Sequence, residues 1–301
     1  MNEFLTTKLK SLNMALSGFL LSFEVFWKIK NLKPIKNFRK TNIRLDAFEN
    51  RILESLNKDG VAVTNIENFS PALLDDLVHW KNEIQHNRRT SLIKDFLIYF
   101  IGGSYKLEKQ QFEELNPLIS FSIDKSLLNI INSYLGMWVN LIYLEMNETK
   151  IVDQSEPLKK SQNFHRDPGI NSCIKVFIYL NDVEEGGGPF TYVKGSHRYG
   201  KYWKICKQRF FGAGGSYPDV NQLSEKINKD DIWEIYGSAG SVIIADTTGI
   251  HSGGNSFRKI RQMTTSLYYP PGDPLKSKIT CNFDIESLEL NECQHFALCR
   301  K

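Results

Sequence analysis

No pair of cysteines in this chain has the C-x-x-C spacing of a zinc site or a dithiol redox motif, and the five present (Cys173, Cys206, Cys281, Cys293 and Cys299) are odd in number. That argues against a cysteine-bound metal and points to free thiols in a reducing, cytoplasmic setting. Low-complexity tracts and internal repeats are also missing, which excludes fibrous and solenoid architectures. A long apolar run is missing too. The best candidate, Ser11 to Trp27, contains Glu24 and falls short of the roughly 20 apolar residues of a membrane span. A signal peptide needs a small-residue cleavage site, but Phe-Glu-Val-Phe-Trp-Lys follows instead.

A body-wide excess of one charge is the last absence. The formal net charge of +4 resides in the first 40 residues, where eight Lys/Arg stand against Glu3 and Glu24. Removing those from the totals of 38 and 34 leaves 30 basic against 32 acidic groups in the rest. A nearly neutral body argues against nucleic acid as its partner and favours a small-molecule substrate.

Within the basic leader, Leu12, Leu16, Phe19, Phe23 and Phe26 recur at helical spacing, and cations follow through Lys40. Two uses of residues 5–40 remain open: packing on the body or a second subunit, and in-plane contact with an anionic membrane face. Pro34 is expected to end this helix.

Beyond it the chain divides into a basic helical extension over 1–44 and a catalytic domain over 45–301. Asp46 to Leu56 predicts a helix and Gly60 to Thr64 a strand. Pro71 to Ile84 predicts a second helix with Ser70 as its N-cap. Leu115 to Leu135 predicts a helical region broken near Pro117. From Trp138 the pattern turns to short runs rich in β-branched and aromatic residues, namely Val139–Met146, Ile174–Leu180, Phe190–Val193, Ser241–Ala245 and Arg261–Tyr269. Helices leading into many short strands predict a mainly β, α+β protein, a sandwich or jelly roll with helices packed outside and its core over about 138–271.

Gln162-Asn163-Phe164-His165-Arg166-Asp167 carries the chemistry. Residues i and i+2 of a strand share a face, so His165 and Asp167 can present an imidazole and a carboxylate side by side. His251 follows an apolar strand and is the candidate third ligand, completing the two-His, one-carboxylate set of oxygen-activating Fe(II) enzymes. Arg261 lies ten residues later and offers a planar fork to the distal carboxylate of a keto-acid. Arg258 competes for that role but sits in the turn. His197, His79, His86 and His295 are read as structural. Gln162, Asn163 and Lys175 are candidate substrate contacts, Lys175 by strand parity with His165 and Asp167. Tyr199 to Asp231, with Lys201, Trp203, Arg209, Phe210, Phe211 and Gly212-Ala213-Gly214-Gly215, is long enough to be a lid or binding insertion.

In order and chemistry, His165-Arg166-Asp167, the strand Phe177–Leu180, the turn Glu184–Pro189 and Gly195-Ser196-His197 resemble the phytanoyl-CoA dioxygenase family of Fe(II)/2-oxoglutarate oxygenases. The resemblance covers about Asp59 to Pro271 in outline. It implies a double-stranded β-helix core, Fe(II) at His165, Asp167 and His251, 2-oxoglutarate at Arg261, and dioxygen as co-substrate. It also implies hydroxylation of an unactivated C–H bond in a small or amphiphilic metabolite, because Asp167 occupies the position where halogenating relatives carry a small residue. Phe164 stands where the family often has Trp, and the leader before Ala47 has no counterpart in it. The rival readings are a non-catalytic metal-binding jelly roll, a scaffold attached to a membrane by its leader whose β-domain binds a sugar or lipid, and a zinc hydrolase, for which no separate general base is evident.

Overall fold

The computed structural model describes residues 20–21, 23–87, 90–93, 96–99, 101, 110–169, 171–206, 217–218, 220–273 and 279–298. Seven antiparallel strands form the main sheet, in the order β1 (Val61–Asn65), β9 (Ser241–Asp246), β6 (Ile174–Tyr179), β11 (Gln262–Tyr269), β5 (Asn140–Thr149), β3 (Phe96–Tyr99) and β2 (Thr90–Ile93). A smaller sheet runs β10 (His251–Ser252), β7 (Phe190–Val193) and β8 (Ile232–Ile235), and β4 (Gln110–Phe112) pairs in parallel with β12 (Ile279–Cys281). No barrel is closed among the described strands.

Period-two alternation assigns the faces. On β6, Ile174, Val176 and Ile178 join a core with Val242 and Ile244 of β9 and with helices α3 (Ala47–Asp59), α4 (Leu73–His86), α5 (Pro117–Ser122), α6 (Lys125–Leu135) and α7 (Glu292–Leu298). Phe177 and Tyr179 point the other way and meet Phe190, Tyr192 and Ile235 of the smaller sheet. Each such fully buried side chain stabilises by roughly 1.5–3 kcal/mol. Lys175 has the parity of this inner face, where the apolar pattern has no use for a cation.

Local chemistry sets the helix limits. Asp46 caps α3 by accepting from Glu49 N at 2.7 Å, while Glu49 accepts from Asp46 N at 2.9 Å. Gly60 ends that helix at φ +79°, and a Cβ there would stand 2.5 Å from the His197 ring and the Tyr192 hydroxyl. Only glycine meets both demands.

Three local expectations need correction. The helix predicted from Pro71 begins at Leu73, and its N-cap residue, Ala72, makes no side-chain cap. Phe69 N and Ser70 N both turn back to Ile66 O, at 2.9 Å each, so the chain is still in a turn at Ser70. Pro117 opens α5 instead of breaking a helix; the interruption falls at Ile123 and Asp124, and Asp124 caps α6. Nor does Pro34 end the leader helix. Over the described residues the leader forms α1 (Glu24–Lys30) and α2 (Leu32–Thr41). Pro34 sits in the first turn of α2, where no N–H is called on, and Leu12, Leu16 and Phe19 lie outside the described residues. No described helix is long and apolar enough to cross a membrane.

The capping box yields a direct test. Asp46→Ala should cost about 1 kcal/mol in urea unfolding, whereas Ser70→Ala should change stability by less than about 0.5 kcal/mol. A larger loss from Ser70 than from Asp46 would restore the helix start expected from the sequence.

Candidate metal centre

His165 and His251 are 86 residues apart in the chain and lie directly opposite one another in an isolated antiparallel bridge. His165 N donates to His251 O at 2.8 Å and His251 N donates to His165 O at 2.9 Å. Two residues on, Asp167 N donates to Thr247 O at 2.8 Å. These backbone bonds bring the imidazoles to a centroid distance of 4.2 Å. The carboxylate stands beside them: His165 Nε2 is 3.7 Å from Asp167 Oδ1, and His251 Nε2 is 3.6 Å from Asp167 Oδ2. One ligand atom from each of the three lies within 4.8 Å of the others, and both histidines are buried.

Both rings are oriented alike. His165 Nδ1 donates to Asn163 O and His251 Nδ1 to Gly249 O, each at 2.9 Å and each two residues back. With the proton committed at Nδ1, each Nε2 turns a lone pair toward the shared space, the tautomer a metal requires. Burial lowers the pKa of His165 and, together with the neighbouring His165, takes that of His251 down to about 3. Burial works against the charge on Asp167, but Lys175 and the two histidines outweigh it and hold its carboxyl well below the usual range. Neutral imidazoles beside an ionised carboxylate are the donor set that suits a divalent cation.

Lys175 reaches this cluster from the main sheet, its Nζ 2.7 Å from Asp167 Oδ2. Burial opposes its charge, yet the carboxylate opposite keeps its pKa well above the ordinary lysine value. Gln162 is buried, and its side-chain oxygen accepts from Lys159 N at 2.7 Å. Asn163 donates through its side chain to Leu158 O at 3.0 Å.

The fully buried Arg261 lies beside the segment that follows His251. Its Nη1 donates to Gly253 O at 2.6 Å and to Gly188 O, while its Nε is buried without a partner. Among the described residues no carboxylate pairs with it. A guanidinium so placed is costly until an anion arrives. Arg258 is exposed and faces Glu185 at 3.8 Å. His197 Nε2 donates to Asn57 O at 3.2 Å, and the residue is not part of the cluster.

Three residues with a bearing on the site were not singled out from the sequence. Arg166, between two cluster residues, turns to the opposite face and is fully buried. It donates to Ser196 O and Thr248 O at 2.6 Å each, and to Tyr202 O and Trp203 O at 3.3 and 3.1 Å. It also lies 4.8 Å from the centre of the Trp203 ring. Asp246 accepts from Tyr134 Oη (2.9 Å), Ser172 Oγ (3.1 Å), Cys173 N (3.4 Å), Thr248 N (3.1 Å) and Thr248 Oγ1 (2.7 Å). An acid ending the otherwise apolar run Ser-Val-Ile-Ile-Ala-Asp was the available signal. Tyr217 stacks on His165 at 5.9 Å. It belongs to the insertion whose other members have different fates: Lys201 pairs with Asp231 at 2.7 Å, and Arg209, Phe210, Phe211 and Gly212 to Gly215 lie outside the described residues.

The profile of the phytanoyl-CoA dioxygenase (PhyH) family matches residues 109–263, a span that includes His165, Asp167, Lys175, His251 and Arg261. No curated protein matches the sequence. Among solved structures, the chain is similar to EctD from S. alaskensis with 2-oxoglutarate and 5-hydroxyectoine, at 17% identity and a TM-score of 0.55, over 78% of this chain and 80% of that one. It is also similar to the epimerase SnoN in complex with Fe3+, alpha ketoglutarate and nogalamycin RO, at 14% identity and a TM-score of 0.53, over 75% and 87%. At such identities the likeness is one of fold, and it identifies the two facing sheets as a jelly-roll core.

Removing the acceptor that ties these segments together should be felt in stability. Asp246→Asn is expected to destabilise by at least about 2 kcal/mol in urea unfolding. A change below about 0.5 kcal/mol would show that the five donors find other partners.

Proposed function

Because the chain belongs to the phytanoyl-CoA dioxygenase family of Fe(II)- and 2-oxoglutarate-dependent enzymes, we propose that it hydroxylates an unactivated C–H bond of a small or amphiphilic metabolite. The observation that carries this reading is the pair of oriented Nε2 lone pairs facing one carboxylate, with an uncompensated buried guanidinium nearby. His165, Asp167 and His251 would hold Fe(II), and Arg261 would hold the far carboxylate of 2-oxoglutarate. When bound, the metal and the keto-acid supply the activation of dioxygen and the oxidising power for the C–H bond.

The chain's own residues have narrower tasks. The carbonyls of Asn163 and Gly249 keep both imidazoles in the ligating tautomer. Lys175 occupies one carboxylate oxygen of Asp167, which restricts how that group can meet a metal, and its ammonium would attract an anionic substrate group that reached the cluster. Gln162, its oxygen committed to Lys159 N, braces the approach to the ligand strand. Tyr217, stacked on His165, covers one side of the cluster and restricts water there. Arg166 ties the ligand strand to the start of the insertion at Tyr202 and Trp203.

Separate binding measurements divide these roles. Arg261→Ala should weaken 2-oxoglutarate binding by at least about ten-fold while leaving Fe(II) binding within about two-fold; equal losses would make Arg261 structural. Turnover with a panel of candidate metabolites should release succinate together with a product one oxygen heavier. Succinate with a stereochemically inverted product of unchanged mass would replace hydroxylation by epimerisation. Metal binding without any 2-oxoglutarate turnover would favour the non-catalytic reading.

A further inference from the structure

The basic leader plays no part in the metal centre, yet the body holds it firmly. Trp27, Asn31 and Pro34 recur at i, i+4 and i+7 and are the buried residues from Glu24 to Thr41. Trp27 packs with Leu21, Met137, Ile35 and Leu135. Asn31 accepts from Gly272 N at 2.7 Å and donates to Trp27 O at 3.1 Å, and Trp138 N donates to Pro34 O at 3.3 Å. The helix pair is therefore seated along one narrow line.

The rest of its circumference is open, and its composition is unusual for a surface that meets only water. Phe23, Val25, Phe26, Ile29 and Leu32 are each between 49% and 67% exposed. They follow one another closely, and the Phe23 and Phe26 rings touch edge-on at 6.4 Å. Contiguous apolar exposure of this kind marks an interaction surface. Between residues 23 and 40 the chain also carries Lys28, Lys30, Lys33, Lys36, Arg39 and Lys40 against one acid, Glu24, which pairs with Lys28 at 2.6 Å.

We infer that α1 and the start of α2 form a docking surface for an anionic phospholipid bilayer. Apolar side chains enter the boundary between headgroups and acyl chains while the flanking ammonium groups meet lipid phosphates and carboxylates. The same charge disfavours a second copy of this chain on the patch, since two such surfaces bring like charges together. A nucleic-acid partner would leave five large apolar side chains in water. Because the body beyond residue 40 is slightly acidic, its own field turns the leader, not the remainder, toward an anionic surface. The inference is independent of the catalytic reading.

Co-sedimentation of the full-length protein with vesicles tests it, using phosphatidylcholine alone and phosphatidylcholine mixed with phosphatidylserine. The wild type should pellet with the anionic vesicles and bind neutral ones at least about ten-fold more weakly. Lys30→Glu/Lys33→Glu/Lys36→Glu should reduce anionic-vesicle binding on the order of a hundred-fold, and Phe26→Ser/Ile29→Ser by at least about ten-fold. Both variants should keep the wild-type unfolding midpoint, since only exposed side chains change. Wild-type protein that stays in the supernatant with the anionic vesicles overturns the proposal, as do variants that bind as the wild type does. Vesicle binding unaffected by Phe26→Ser/Ile29→Ser, with a dimer converted to a monomer in sedimentation velocity, would assign the patch to self-association instead.

Discussion

Two backbone hydrogen bonds, exchanged between His165 and His251 at 2.8 and 2.9 Å, join segments that are far apart in sequence and set the register on which the site depends. A slip of one residue would turn both imidazoles to the other face. The bridge also extends the smaller sheet, since His251 pairs on its other side with Tyr192 of β7. The rings therefore inherit the rigidity of a sheet that packs, through Phe190 and Tyr192, against Phe177 and Tyr179 of the main one. Lys175 connects the two layers at the cluster itself, from β6 of the main sheet to Asp167 beside the smaller one.

Placing three polar groups and two guanidinium ions inside a jelly roll carries a desolvation cost, and the surrounding contacts show how that cost is met. Arg166 is surrounded by four carbonyl oxygens and an aromatic ring. Asp246 collects five donors from three segments, and burial beside that acid raises the Tyr134 pKa well above its usual value, which keeps the phenol a donor. Arg261 differs: its described side-chain hydrogen bonds both leave from Nη1, although the Nε of each arginine is without a partner. The contrast between two equally buried arginines, one bonded through both terminal nitrogens and one through Nη1 among the described residues, separates an anchor of the fold from a group with donors left for an anion.

Much of this was legible in the sequence because it follows from period two. Alternation on β6 separates the helix-facing residues from Phe177 and Tyr179, and the same rule puts His165 and Asp167 together and Arg166 opposite. The helix start expected at Asp46 was legible to within a residue, with Asp46 as its side-chain cap; Ser70 misled because a backbone turn still holds the chain there, and Pro117 because it stands in the first turn of a helix that the Asn116 side chain caps. The strands β2 and β3 were not foreseen, being four residues each with no flanking signal strong enough to separate them from loop. Arg166 and Asp246 were missed for a different reason. Their partners are mostly carbonyls or hydroxyls brought in from distant segments, and no residue pattern records where a carbonyl will point.

Anaerobic titration of the Fe(II)-loaded protein with 2-oxoglutarate is the most direct test of the central claim, that the cluster at His165, Asp167 and His251 and the guanidinium of Arg261 form one site for iron and keto-acid. A visible charge-transfer band should grow with 2-oxoglutarate and saturate at one equivalent per chain, and it should be lost in His251→Ala. Folded, iron-loaded protein that develops no band would contradict the account.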